Sequence, residues 1–115
     1  MLLNSFFFIQ QNETGVYRLQ LNADHEIYKG HFPGNPVTPG VVMIQMLTEL
    51  MQQHTGKKVR LISIPSCKFS KTLNPFEYPF INYSIKTTPS DNHIQVNAQV
   101  EEEGTLFCKI SAMYE

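Results

Sequence analysis

The residues that could do chemistry in this chain lie in one short segment, residues 30–42, which reads Gly-His-Phe-Pro-Gly-Asn-Pro-Val-Thr-Pro-Gly-Val-Val. Because proline fixes φ and glycine permits close backbone approach, this segment has little conformational freedom to lose. We expect this segment to hold His31 in a set position just before a helix start, where free backbone N–H groups favour negative charge. This arrangement predicts a general base beside an anion-stabilising site.

The helix that must position this segment is predicted from about Gly40 to His54. Pro39 stands at the start, where helices tolerate proline, and Gly56 closes the helix at its other end. Most of its residues are apolar, and the polar ones make one narrow stripe: Gln45, Thr48, Glu49 and Gln52. We therefore expect other structure to wrap this helix.

Two β-strands are expected before this helix and three or four longer ones after it. Residues 3–11 and 16–23 read as a hairpin. The loop from Asp24 to Pro39 follows, with a helical turn near Glu26 to Lys29. After the helix, the β-like runs are 59–64, 66–72, 79–88, 92–102 and 105–114. The pattern predicts an α+β fold in which an antiparallel sheet curls around one central helix.

Length and composition bound the possible functions. The 115 residues, of which 42% are hydrophobic, indicate one soluble domain over residues 1–115. A net charge of −1 gives no field that would attract nucleic acid or a membrane surface, so neither is expected as a partner. The N-terminus lacks the features of a signal peptide, which predicts a cytoplasmic location and reduced thiols at Cys67 and Cys108.

Residues 30–42 resemble the signature of the 3-hydroxyacyl-(acyl-carrier-protein) dehydratases, which have the hotdog fold. The order of a hairpin, a long helix and a strand meander is similar as well. The resemblance implies a homodimer or a hotdog heterodimer with each active site in a tunnel at the interface. It also implies acyl carrier protein with its acyl thioester as the partner and substrate, and no cofactor. Because His25, His54 and His93 show no metal-ligand spacing, no metal is expected either.

The resemblance also assigns roles to residues. His31 matches the histidine that takes the Cα proton of the thioester, and an imidazole suits this because its ordinary pKa lies near working pH. Gly40 matches the glycine whose N–H meets the thioester carbonyl at the helix start. Four further residues are expected to bind substrate: Phe32, Pro39, Val41 and Phe69.

The chain departs from the family pattern on the helix. Fourteen residues after the histidine, the family carries Glu or Asp, whereas this chain has Gln45, which has no carboxylic proton to donate. Glu49 lies one turn further along the same helical face, so the acid and the amide look exchanged. In one hypothesis Gln45 binds the C3 hydroxyl or its water and Glu49 is the acid. In the other, Glu49 does not reach the tunnel and little or no dehydration occurs.

Three functions follow from these observations. The first is a dehydratase acting on 3-hydroxyacyl thioesters of acyl carrier protein, in fatty-acid or polyene-type biosynthesis. The second is a non-catalytic acyl-binding or heterodimer partner of a hotdog dehydratase, which Gln45 favours. The third is a hotdog thioesterase, although thioesterases do not need the turn around His31. The acidic run Glu101–Glu103 is expected to be a solvated strand end.

Overall fold

The protein is described by a computed structural model that covers residues 1–30 and 34–115. Its six strands form one antiparallel sheet in the order β1-β2-β4-β5-β6-β3, which places β1 and β3 at the edges. The elements in chain order are β1 (Phe7–Glu13), β2 (Val16–Leu21), α1 (Glu26–Gly30), α2 (Gly40–Thr55), β3 (Leu61–Phe69), β4 (Phe80–Ser90), β5 (His93–Glu102) and β6 (Thr105–Tyr114). The predicted α+β hotdog arrangement of one antiparallel sheet and one long helix is confirmed.

Helix α2 packs its apolar face against the sheet. The Tyr83 hydroxyl donates to the Met43 carbonyl oxygen at 3.0 Å, and the Thr48 and Tyr114 hydroxyl groups lie 2.9 Å apart. At its end, Gly56 adopts φ 74, a left-handed conformation that glycine takes at no steric cost. The buried residues of α2 are Met43, Met46, Leu47, Glu49, Leu50 and Met51. The helix is therefore wrapped on most sides, as expected.

One row of paired residues crosses the sheet from the end of α2, where Tyr17 contacts His54, to its start, where Phe69 contacts Gly40. Its members, taken strand by strand, are Tyr17, Tyr83, Val100, Cys108 and Phe69. The first four are fully buried, whereas Phe69 on the edge strand is 48% exposed. The Cys108 Sγ atom lies 3.7 Å from the Sδ atom of Met43 on α2. The register of the sheet thus places Phe69 next to the start of α2.

The N-terminus differs from the expected strand over residues 3–11, because β1 begins only at Phe7. The preceding residues form a tight turn instead. The Leu2 carbonyl oxygen accepts the backbone N–H groups of Ser5, Phe6 and Phe7 at 3.1, 2.7 and 3.2 Å. Asn4 adopts φ 71 within this turn, a conformation that asparagine tolerates better than most residues.

The two runs expected at 59–64 and 66–72 form a single strand, β3. Its pairing with β6 is irregular between Leu61 and Ser63 and again between Ser63 and Ser66. Pro65 lies in the second irregularity. Because proline has no N–H group, it interrupts the hydrogen-bond ladder, and an edge strand tolerates that interruption without ending.

Candidate active site

A hollow of about 460 Å³ opens at the start of α2. It is lined by the residues that precede and begin this helix and by those at the end of β3. They are Val37, Thr38, Pro39, Gly40, Met43, Phe69, Ser70, Lys71 and Thr72. The fold thus brings together three residues predicted from the sequence: Pro39, Gly40 and Phe69.

Gly40 and Phe69 form a close contact in the wall of this hollow. A Cβ atom on Gly40 would lie 2.6 Å from the Phe69 Cζ atom and 3.0 Å from Cε2. A real Cβ atom does not approach another carbon so closely, so any other residue at position 40 would displace the ring. The glycine therefore lets an aromatic ring reach the helix backbone.

The first turn of α2 is built to leave backbone N–H groups available. Pro39 precedes the helix with φ −63 and ψ 146, and its carbonyl oxygen accepts the N–H groups of Val42 and Met43 at 3.0 and 3.1 Å. The N–H groups before these have no acceptor within a helix. No side chain among the described residues caps this turn. The helix dipole adds to the partial positive charge at this point.

Tyr28 and Thr38 hold the two ends of the loop between α1 and α2. Their hydroxyl oxygens lie 2.8 Å apart in a buried contact, and the Thr38 N–H group donates to the Leu73 carbonyl oxygen at 2.9 Å. Burial raises the pKa of Tyr28 to about 12, so its hydroxyl stays neutral at ordinary pH. Neither residue was predicted as part of the site, although Thr38 lies within residues 30–42 and Tyr28 lies two residues before them.

His31 and Phe32 lie between Tyr28 and Thr38 in the chain, but they fall outside the described residues. The predicted roles of His31 as base and Phe32 as a substrate contact therefore stay predictions. Val41 is 73% exposed and is not among the residues that line the hollow.

Gln45 and Glu49 form a hydrogen-bonded pair one turn apart on α2. The Gln45 side chain is exposed, and its Nε2 atom donates to Glu49 Oε2 at 2.9 Å. Glu49 is only 1% exposed. Its Oε1 atom accepts the backbone N–H groups of Leu2 at 2.9 Å and Leu3 at 2.8 Å, and Oε2 also accepts from Leu2 at 2.9 Å. Neither Gln45 nor Glu49 lines the hollow.

These contacts show what the sequence could not. Glu49 lies 47 residues from Leu2 along the chain, and any residue except proline could supply the same backbone N–H donor.

Within residues 1–30 and 34–115, no cluster of His, Cys, Asp and Glu could hold a metal ion. In the same ranges, no helix is long and apolar enough to cross a membrane.

Comparison with known families gives one match that spans most of the chain. The family model for ApeI-like proteins, described as ApeI dehydratase, matches residues 9–109. Among individual proteins, the chain is 28% identical over 107 residues to the 3-hydroxyacyl-(acyl-carrier-protein) dehydratase FabZ of Lactobacillus helveticus. It is 33% identical over 70 residues to the FabZ enzyme of Ligilactobacillus salivarius. These matches cover 87% and 55% of this chain, and 72% and 50% of the two enzymes.

Solved structures share the fold at lower sequence identity. The dehydratase heterocomplex ApeI:P from Xenorhabdus doucetiae contains a chain with a TM-score of 0.67 and 18% identity, and the match covers 93% of each chain. A mutant of the thioesterase PA1618 from Pseudomonas aeruginosa gives a TM-score of 0.66 at 8% identity, covering 94% of this chain and 79% of that one. Likeness at this level of identity establishes the architecture alone.

Proposed function

We propose a dehydratase function for this chain, which belongs to the ApeI-like dehydratase family. Its substrates would be 3-hydroxyacyl thioesters carried by acyl carrier protein, in fatty-acid or polyene-type biosynthesis. The observation that carries the proposal is the hollow at the start of α2, where Pro39, Gly40 and Phe69 meet beside uncapped helix N–H groups. The FabZ relatives are dehydratases of such substrates and support the same substrate class.

The reaction removes a proton from Cα and a hydroxyl group from C3, so that a double bond forms and water leaves. His31 would take the Cα proton as general base. Negative charge then develops on the thioester oxygen, and the N–H group of Gly40 would donate a hydrogen bond to it. Donors at a helix start suit this task because they are fixed before the charge appears. Pro39, Val41, Phe69 and Phe32 would contact the acyl thioester.

Gln45 would bind the C3 hydroxyl or a water beside it. Because Glu49 accepts one hydrogen bond from the Gln45 nitrogen, the carbonyl oxygen of Gln45 stays available as an acceptor. That oxygen can accept a hydrogen bond from the C3 hydroxyl or from a water beside it. The proton that His31 took from Cα would pass through such a water to the leaving hydroxyl, which then departs as water. The role of Glu49 as the acid stays a prediction, and the backbone donors on both of its oxygens count against it.

A dimer would complete the site. Edge strand β3 pairs on one side with β6, and it carries Ile62 and Phe69, which are 41% and 48% exposed. An edge of this kind is suited to pairing with a second chain. The ApeI:P neighbour is described as a heterocomplex, so a hotdog partner subunit is as consistent with this edge as a second copy. A cytoplasmic location remains a prediction.

The test is turnover of a 3-hydroxyacyl carrier protein by the purified chain, followed by mass spectrometry of the carrier-bound product. We expect loss of water to give the enoyl thioester, and we expect His31→Ala to abolish it while leaving the far-UV circular dichroism unchanged. Full turnover by His31→Ala would reject the assignment of the base.

The same assay separates the alternatives. Gln45, an exposed amide at the family's acid position, favours a non-catalytic partner as the second candidate. That function predicts no turnover by the chain alone and turnover once an active hotdog subunit is added. Release of free acid in place of the enoyl product would indicate a thioesterase.

A further inference from the structure

We propose that Glu49 is a positioning residue that holds Tyr28 and Thr38, the described residues on either side of the predicted base. It would do so by anchoring residues 1–6, here called the N-terminal turn, against α2. The link to catalysis rests on the proposed dehydratase function. The mechanical part of the proposal stands on contacts among described residues.

The Glu49 carboxylate anchors the N-terminal turn through hydrogen bonds. Both carboxylate oxygens of Glu49 are occupied by donors: the backbone N–H groups of Leu2 and Leu3 and the side-chain nitrogen of Gln45. A buried carboxylate needs such donors, because an unpaired one is costly away from water. A carboxylic proton on either oxygen would point at an N–H group. The site therefore suits an acceptor that binds the chain better than an acid that donates to a substrate.

The N-terminal turn is fixed by its own hydrogen bonds and by Asn22. The Leu2 carbonyl oxygen accepts three backbone N–H groups of the turn and of Phe7. The Asn22 N–H group donates to the Phe6 carbonyl oxygen at 2.8 Å, and the Asn22 Nδ2 atom donates to the Ser5 carbonyl oxygen at 2.9 Å. The turn is thus fixed to α2 at one end and to the segment after β2 at the other.

Aromatic packing connects the N-terminal turn to Tyr28. Phe6 is fully buried and stacks on Tyr28 with 5.1 Å between the ring centroids and 26° between the planes. Its ring also meets the His25 ring edge-on at 5.3 Å. Tyr28 precedes His31 by three residues in the chain, and its hydroxyl contacts Thr38, two residues before Gly40. Phe6 therefore packs directly on Tyr28, and it reaches Thr38 only through the Tyr28 hydroxyl.

The experiment compares Glu49→Leu, Phe6→Leu and the double variant with the unaltered protein. Each single variant should lower kcat by roughly 10-fold or more. Because both residues act through the same chain of contacts, kcat of the double variant should be close to that of the less active single variant. The KM value should change less than kcat. The pH profile should keep both limbs at reduced height, since no titrating group of the reaction has been removed. Tyr114→Phe, which loses a hydroxyl contact elsewhere on α2, is the matched control and should keep its rate.

Amide hydrogen exchange supplies a readout that needs no substrate. The N–H groups of Tyr28 and Thr38 are hydrogen-bonded in the folded chain, so their exchange is slow enough to follow. Exchange at Leu2, Tyr28 and Thr38 should accelerate in Glu49→Leu and should stay unchanged in Tyr114→Phe. If Glu49→Leu fails to fold, Phe6→Leu carries both readouts. Glu49→Gln keeps an acceptor oxygen for Leu2 and Leu3, so it should retain most of the rate, slow exchange and both limbs of the pH profile.

Three results would overturn the proposal. The first is a double variant whose loss of kcat equals the product of the losses in Glu49→Leu and Phe6→Leu. The second is disappearance of one limb of the pH profile in the Glu49 variants, which would make Glu49 the acid. The third is unchanged exchange at Tyr28 and Thr38 in Glu49→Leu. Absence of any enoyl product from the unaltered protein would instead reject the dehydratase function, and the exchange data would still decide whether Glu49 holds Tyr28 and Thr38.

Discussion

The ring of Phe69 lies against the backbone of Gly40, so close that a Cβ atom at position 40 would stand 2.6 Å from the ring. Phe69 ends the edge strand β3 and pairs with Cys108 of β6, whose thiol in turn contacts Met43 of α2. The sheet and the helix are thus held together at the point where the hollow opens. The position of the helix start is set by the sheet as well as by the loop before it.

Gly40→Ala should reduce activity more than it reduces stability. The added methyl group meets the far end of a half-exposed ring, which can move outward at a cost of about 1 kcal/mol or less. The moved ring changes the wall of the hollow, so kcat/KM for a 3-hydroxyacyl carrier protein should fall by roughly 10-fold. Thermal unfolding and steady-state kinetics measure the two effects.

The Phe69→Leu background supplies the control for this substitution. If the ring transmits the effect, Gly40→Ala should cause a much smaller further loss of kcat/KM when position 69 carries the shorter side chain. An equal loss in both backgrounds would mean that the alanine acts on the helix N–H groups directly, and the role given to Phe69 would be wrong.

Substitutions at Gln45 and Glu49 should have strongly non-additive effects on the free energy of unfolding. Gln45→Glu places a second carboxylate at the 2.9 Å contact with Glu49, which should cost about 1–3 kcal/mol near neutral pH. In the double variant Gln45→Glu/Glu49→Gln, the new amide nitrogen can donate to the new carboxylate while its oxygen accepts from Leu2 and Leu3. Urea unfolding should therefore show the double variant to be more stable than Gln45→Glu.

The control for that cycle is Gln20→Glu, which adds the same charge at an exposed position of β2 and keeps the oxygen that accepts from Gln10 Nε2. It should change the free energy of unfolding by about 0.5 kcal/mol or less. If the double variant is no more stable than Gln45→Glu, the contact between the two side chains contributes nothing to folding.

Much of the fold could be read from the sequence because its signals are local. The start of α2 at Gly40 and its end before Gly56 follow from proline, glycine and capping preferences. The hairpin of β1 and β2 and the three strands β4, β5 and β6 follow from alternation and turn residues. Strand β3 was divided wrongly at Pro65, because an edge strand accepts a proline that a central strand would not.

The site was only partly predictable because its contacts are long-range. The hollow that joins Gly40 to Phe69 depends on sheet register, which a single sequence does not fix. The hydrogen bonds from Leu2 and Leu3 to Glu49 use backbone N–H groups, so the identity of these two residues does not predict the contact.

Glu102 is buried at an irregularity of β5, where the alternation of inward and outward residues does not predict burial. The expectation of a solvated acidic run was wrong at this residue, which is 9% exposed and forms a two-oxygen ion pair with Arg18. The register of β5 with β6 shifts between Val100 and Glu101. Beyond this shift, the alternation along β5 no longer predicts which face of the sheet the Glu102 side chain lies on.

Glu102→Gln should therefore destabilise the fold by roughly 1–3 kcal/mol, because Arg18 keeps its charge with a weaker partner. The Arg18 guanidinium also lies 5.4 Å from the centre of the Phe80 ring, which keeps it at this place. Glu103→Gln, in the exposed turn next to it, is the matched control and should change the free energy of unfolding by about 0.5 kcal/mol or less. Equal effects of the two substitutions in urea unfolding would show that the ion pair adds no stability.

Tyr28 should make the fold sensitive to alkaline pH. Burial raises the pKa of its hydroxyl from 10.0 to about 12, so the unfolded chain loses this proton at lower pH than the folded chain does. The stability linked to Tyr28 is therefore fully present below about pH 10 and is lost as the pH rises toward 12. In this window the unaltered protein should lose up to about 1.4 kcal/mol per pH unit more than Tyr28→Phe does.

Thr38→Val separates this titration from the hydrogen bond that accompanies it. Both Tyr28→Phe and Thr38→Val remove the contact between the two hydroxyl groups, so each should cost about 1 kcal/mol below pH 9. Only Tyr28→Phe removes the titrating group. Because the contact with Thr38 lowers the pKa of Tyr28 against the larger effect of burial, Thr38→Val should keep the alkaline loss and extend it to higher pH. Urea unfolding from pH 8 to 12 would contradict the assignment if all three proteins lost stability in parallel.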